Sequence, residues 1–369
     1  LLDDATAFAV VSFLGAGATM FFNYLAAIIR AIGDSRTPLI FLTVACVFNV
    51  VLVVVMVGPL GWGVGGAALA TVVSQALSVG LCLDYIRRRI PVLRMRRADW
   101  RITRTDLALH LRLGLPMGFQ ASIIAIGTLA VQVRLNELGA DAVAAYTTAS
   151  RVDGLAVALL QSLGLAVSMF VAQNYGGGRP DRIRQGVAQA TWMAVIGAVG
   201  LGVVLITFGA PLVRLFVGDG SDGVVSLAAL MLIINGATYT ALGVLFVLRG
   251  ALQGLGHTLV PTVTGIVELV MRAGAAVVLG AFLGFAGVAW SNPLAWLGAT
   301  VILVPAYLRA RRELADMPIA RADHISTATT PVPVVGPASG SMVVDAVVTQ
   351  PVPVIPDTRR RRRPLAAAL

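Results

Sequence analysis

Four charged residues interrupt stretches that are otherwise apolar: Arg151 and Asp153 in ASRVDGLAVALLQSLGLA (149–166), and Glu268 and Arg272 in GIVELVMRAG (265–274). A carboxylate in such surroundings can take up a proton or hold a small cation, and a guanidinium can hold a carboxylate in place. An ionisable group in a membrane span is costly to keep, about 2.5–3.5 kcal/mol on insertion scales, so each is a functional candidate by default. Glu268 and Arg272 lie four apart with the acid first, the better order for a pair on one helix face. Arg151 and Asp153 lie two apart and must find partners on different neighbours. Asp153 and Glu268 are therefore candidate coupling-ion sites, with Arg151 and Arg272 as charge partners. A second reading stands beside it: a static ion-pair network that holds helices together, since a permanently paired carboxylate does not titrate near neutral pH. Amides such as Asn49, Gln120, Gln161 and Asn235 in these stretches are candidates for lining a cavity or for bonding between helices.

The elements that must carry these residues follow from composition. The 369 residues are 57% hydrophobic and 12% charged, with a mean hydropathy of +0.86, far too apolar for a soluble chain of this size. Nine apolar runs have spanning length, near Ala5–Ile29, Pro38–Val57, Val64–Ile86, Leu115–Leu138, Ala142–Ala172, Val187–Phe208, Val224–Leu248, Leu259–Ala281 and Ala286–Leu308. Runs of about 20 residues cross the hydrocarbon as helices, because a backbone group left unpaired in lipid costs several kcal/mol. The expected class is an all-α polytopic membrane protein.

The +10 charge comes from arginines alone, as the chain has no lysine, and they cluster between the runs and at the C-terminus. With no basic face interleaved with aromatics, nucleic acid is not an expected partner; the arginines report topology instead. The connection after the third run, RRRIPVLRMRRADWRITRTD, is the most basic, and VGDGSDG after the sixth carries only acids. Connections after odd-numbered runs are therefore expected to be cytoplasmic, along with the C-terminus, and Leu1 outside.

RAIGDSRTP (30–38) is repeated in blurred form as QGLGHTLVP (253–261), GWGVGGAALAT (61–71) as GFAGVAWSN (284–292), and YIRRR (85–89) as YLRAR (307–311). Runs one to three thus match runs seven to nine, six spans apart, and an even offset makes the repeat parallel. Runs four to six have no upstream partners. Three further helices before Leu1 are expected, giving twelve spans in two six-helix lobes, the sequence being N-terminally truncated. The expected parts are residues 1–89 (second half of the N-terminal lobe), 90–112 (a basic cytoplasmic linker), 113–312 (the C-terminal lobe) and 313–369. This last stretch is proline-rich and reads as a disordered cytoplasmic tail whose Arg359–Arg363 are a candidate contact for anionic lipid.

Other chemistry is excluded by context. G-x-G-x-x-G at Gly61, Gly63 and Gly66 follows a span and not a strand, which argues against phosphate binding. His110, His257 and His324 lack neighbours at metal-ligand spacing, Cys46 and Cys82 read as small apolar residues, and no hydrolase motif occurs. Neither a cofactor nor a metal is expected, and no enzymatic activity.

The hairpin VAQNYGGGRPDRIRQG (171–186) with the preceding ASRVDGLAVALLQSLGLA, LGLPMG (113–118) and RAIGDSRTP occur in the order found in multidrug and toxin extrusion (MATE) transporters, which residues 5–312 resemble. The resemblance implies a cation-coupled antiporter with two lobes around a central cavity. Entry of H⁺ or Na⁺ would drive export of drugs or other bulky, often cationic, organic compounds across the plasma or inner membrane, by a protein expected to be a monomer. It also favours Asn49 and Gln120 for cavity lining, because each follows a lobe motif. The chain departs from the family pattern where an Asp often follows the fifth-helix Asn, here Val53 after Asn49, and where carboxylates occur in the C-terminal lobe, here Ile124 and Leu242. A lipid-linked oligosaccharide flippase of the same superfamily, or an inactive membrane protein, are the other readings.

Overall fold

The structure is a computed structural model that describes residues 2–94, 103–217 and 222–315. Its order is α1 (Leu2–Ala31), α2 (Arg36–Val57), α3 (Gly63–Arg89), a short 3-10 helix (Pro91–Leu93), α4 (Arg104–Glu137), α5 (Ala140–Gly176), α6 (Pro180–Val217), α7 (Asp222–Gly254), α8 (Leu259–Leu283), α9 (Phe285–Ala289) and α10 (Ser291–Ala315). Among the described residues nine helical segments are long and apolar enough to span a bilayer, α9 and α10 together forming the ninth. The protein is an all-α polytopic membrane protein. Helix α2 illustrates why: it buries only Pro38 and Ala45, while Leu39, Val47, Val50 and Val54 stand exposed, an apolar surface that is unfavourable in water.

Packing divides the chain into two compact units, residues 1–110 and 111–369. In the first, α3 packs along both α1 and α2, which barely touch each other. In the second, α7 is the central helix, packed by α5, α6 and α10, and α10 also packs along α8, which has little contact with α7. The same three-helix arrangement thus occurs in each unit, α1–α2–α3 in one and α7–α8–α10 in the other.

The local geometry of the repeated stretch is shared as well. Gly33 and Gly256 both take left-handed φ values, +98° and +81°, as the residue that ends a helix commonly does. The Asp34 amide reaches back to the Ile29 carbonyl at 3.3 Å and the His257 amide to that of Leu252 at 2.9 Å, so both helices close alike. Pro38 and Pro261 then fall in the first turn of α2 and α8, where the missing amide forfeits no helical bond. Asp34 is not copied. Its carboxylate accepts the Arg36 and Thr37 amides at 3.1 Å each and the Tyr85 hydroxyl at 2.8 Å, tying the turn to α3, whereas His257 stands in the second copy.

Several expectations shift. Helix α4 begins at Arg104 and not near Leu115, so the residues 104–112 assigned to a linker are helical, Thr103 and Asp106 closing the first turn. The ninth run is broken at Trp290 into α9 and α10, after a left-handed Gly284. Helix α10 extends to Ala315, so residues 313–315 are helical, and the tail beyond, with Arg359–Arg363, lies outside the described residues, as do 95–102.

Candidate functional site

The second unit holds its charged side chains on helices that approach closely through glycine. A Cβ at Gly164 of α5 would lie 2.7 Å from the Phe246 carbonyl oxygen of α7, and one at Gly250 would collide with the Gly164 carbonyl. On the other side Gly202 of α6 meets Gly236 of α7 backbone to backbone. Without side chains at these crossings, α5, α6 and α7 come near enough for short polar groups to bridge them, the packing mode that small residues allow in membranes.

Between α5 and α7 lies Asp153, 7% exposed. Its Oδ1 accepts the Tyr239 hydroxyl at 2.6 Å and the Asn235 side-chain amide at 3.0 Å, donors one turn apart on the same face of α7. Tyr239 and Asn235 have no exposed surface, and the Tyr239 ring packs against Trp296 with centroids 6.0 Å apart. The Asn235 side-chain oxygen, Oδ1, is buried and has no partner among the described residues. Among the described residues Asp153 is thus held by two neutral donors and no cation.

Glu268 is a different case. It is 3% exposed and forms an ion pair with Arg249 of α7, itself 8% exposed. The expected partner, Arg272 on its own helix, is not the one used: the α7 guanidinium reaches Glu268 across the interface, and Arg272 is buried with its Nε unpartnered. Arg151 is exposed and takes no part in holding Asp153. Arg249 was missed because it follows directly on the predicted end of the seventh run at Leu248, whereas α7 continues to Gly254. The visible signal was an arginine within VLRGALQG before any turn residue pair closed the helix.

The four amides do not form one lining. Asn235 joins Asp153, and Gln120, 5% exposed on α4, accepts from Gln253 at 3.4 Å. Gln161 is exposed on α5. Asn49 lies in the first unit, half-buried on α2, its amide 3.4 Å from the Thr71 hydroxyl. Among the described residues no group of three or more His, Cys, Asp or Glu side chains could hold a metal ion.

The MatE family model matches residues 116–278, the stretch from α4 to α8 that carries Asp153, Arg249 and Glu268. Over this stretch the chain matches the MATE family. It is similar to "Probable multidrug resistance protein YpnP" of Bacillus subtilis (strain 168), with 29% identity over 291 residues, 78% of this chain and 64% of that protein. Similarity to "Probable multidrug resistance protein YoeA" of the same organism is 30% over 246 residues, 64% of this chain and 52% of that protein. The chain therefore spans less than two thirds of the length of these relatives. Its fold matches an outward-facing conformation of a multidrug resistance MATE family transporter of the MOP superfamily, with a TM-score of 0.77 at 21% identity over 84% of this chain and 70% of that one.

Proposed function

We propose that this MATE protein works as a secondary active antiporter. Entry of H⁺ or Na⁺ drives export of drugs or other bulky organic compounds across the plasma or inner membrane, with the C-terminus cytoplasmic. Asp153 carries the coupling cation. The observation behind this assignment is the setting of that carboxylate: within a span and, among the described residues, held by Tyr239 and Asn235 with no cationic partner to keep it ionised. Glu268 is closed in a pair with Arg249, so its part is structural, tying α7 to α8.

The duplication of α1–α3 in α7–α10 supports a parallel repeat of two six-helix lobes, twelve spans in all, with 113–312 as the C-terminal one. In this reading the protein acts as a monomer, and Arg359–Arg363, outside the described residues, are the candidate contact for anionic lipid.

The test is export by purified protein in proteoliposomes loaded with ethidium, under an imposed pH gradient or Na⁺ gradient in turn. Export under one gradient, abolished by dissipating it, is the expected result. Equal, slow leakage with and without gradients would refute secondary transport, and lipid-linked sugar movement in its place would support the flippase reading.

A further inference from the structure

Among the described residues four charged side chains are buried: Asp153, Arg249, Glu268 and Arg272. Arg249 and Glu268 neutralise each other, and Asp153 is satisfied by neutral donors. Arg272 alone of these has neither an ion pair nor a hydrogen bond among the described residues; it is 8% exposed, its Nε is buried without a partner, and it cannot be deprotonated to relieve the burial.

Its surroundings have a pattern. Long polar side chains reach between α4 and α8 at three glycines, in the same order along both helices. Gln120 lies over Gly265, Arg272 over Gly127, and Arg134 over Gly280. The outer two are closed by hydrogen bonds, Gln120 with Gln253 at 3.4 Å and Arg134 to the Gly280 carbonyl at 3.2 Å. The middle one is open. A Cβ added at Gly127 would stand 3.7 Å from Nη1 of Arg272, so the guanidinium faces a position where α4 has no side chain. The Tyr146 phenol of α5 is within electrostatic reach of both Arg272 and Asp153.

We infer that Arg272 is a substrate-binding residue that receives an anionic group, a carboxylate or phosphate, of the exported compound in the α4–α8 seam beside Gly127. This deepens the transport reading and rests on it: the substrate class includes organic anions. An unpaired guanidinium in a low-dielectric seam gains most from an ionised oxygen ligand, through charge-assisted and, for planar groups, bidentate hydrogen bonds. A lipid phosphate is the other source of that chemistry. Arg272 sits mid-helix, about 15–20 Å along α8 from either end, too deep for a headgroup to reach.

The experiment uses riboflavin and flavin mononucleotide (FMN), which share a ring system and differ by a phosphate, as probes of binding to the full chain in phosphatidylcholine nanodiscs without any gradient. FMN should bind about 10- to 100-fold more tightly than riboflavin, the factor carried by a charge-assisted hydrogen bond. In Arg272→Gln the two affinities should converge, with the unfolding temperature unchanged or raised because an unpaired buried charge has been removed. Arg272→Lys should keep part of the preference, and Gly127→Leu, which fills the space before the guanidinium, should lose it with the arginine in place. Equal affinities in the unaltered protein, or a preference that survives Arg272→Gln, would overturn the inference. So would a lowered unfolding temperature in Arg272→Gln with the preference intact, the mark of a structural arginine. Loss of FMN binding when phosphatidylglycerol is added would assign the site to lipid. Binding is read without a gradient, so a failure of gradient-driven ethidium export, which tells against the transport reading, is a separate result.

Discussion

Replacing Asp153 by Asn separates the charge of this side chain from its hydrogen bonds. Both donors, the Tyr239 hydroxyl and the Asn235 amide, converge on the same oxygen, Oδ1. An asparagine carbonyl has two lone pairs and can accept both, and the buried, unpartnered Oδ1 of Asn235 is an available acceptor for its new NH₂ group. Two hydrogen bonds to a charged acceptor, about 1.5–3 kcal/mol each, become two neutral ones of about 0.5–1.5 kcal/mol. That loss of about 2–3 kcal/mol is offset by removal of the penalty for keeping a carboxylate within the span, about 2.5–3.5 kcal/mol on insertion scales. Asp153→Asn should therefore fold within about 1 kcal/mol of the unaltered protein. Asp153→Ala should not, since it strands two buried donors at about 1–3 kcal/mol each.

Thermal unfolding in detergent, followed by the loss of monodisperse protein, measures the first quantity; gradient-driven ethidium export per folded molecule in proteoliposomes measures the second. The expected outcome for Asp153→Asn is near-normal unfolding temperature with export lost. Normal gradient-driven export in that variant would refute the coupling role of Asp153. An unfolding temperature as low as that of Asp153→Ala would refute the hydrogen-bond argument.

Removing one member of the buried Arg249–Glu268 pair, by Arg249→Met or Glu268→Gln, should destabilise the protein by about 3–5 kcal/mol, and Arg249→Met with Glu268→Met should recover most of it in the same unfolding assay. At the α1–α2 turn burial alone would raise the Asp34 pKa, but the bonds from Thr37, Tyr85 and the Arg36 amide outweigh it and hold the carboxyl below its usual value. Its stabilising effect is thus present above the unfolded-state pKa near 3.9 and lost as pH falls through the lower folded value, so Asp34→Asn should flatten the acid limb of a pH–unfolding-temperature profile. With Cys46 and Cys82 replaced, cysteines at Arg88 or Arg182 should resist a membrane-impermeant thiol reagent in intact cells and ones at Leu60 or Asp141 should react; the opposite pattern would reverse the proposed orientation.

Much of the architecture was legible before any coordinates. Hydrocarbon forces each apolar run to satisfy its own backbone, so run length and composition alone decide helix and span, and all nine runs appear as helices. The duplicated turns were equally legible, because Gly33 and Gly256 answer a local demand, a left-handed residue at a helix end, that depends on neighbours in sequence only. Charge partners were another matter. The i, i+4 spacing of Glu268 and Arg272 makes a pair possible on one helix, but whether it forms depends on what faces that helix, and α7 brings Arg249 there instead. Likewise nothing in the spacing of Asp153, Asn235 and Tyr239, 82 and 86 residues apart, joins them. They meet because glycines at 164 and 250 let two backbones approach, and the distance between helices is a property of the packed unit, not of either segment. The same packing set Arg272 over Gly127 without an acid among the described residues, which only the tertiary structure could show.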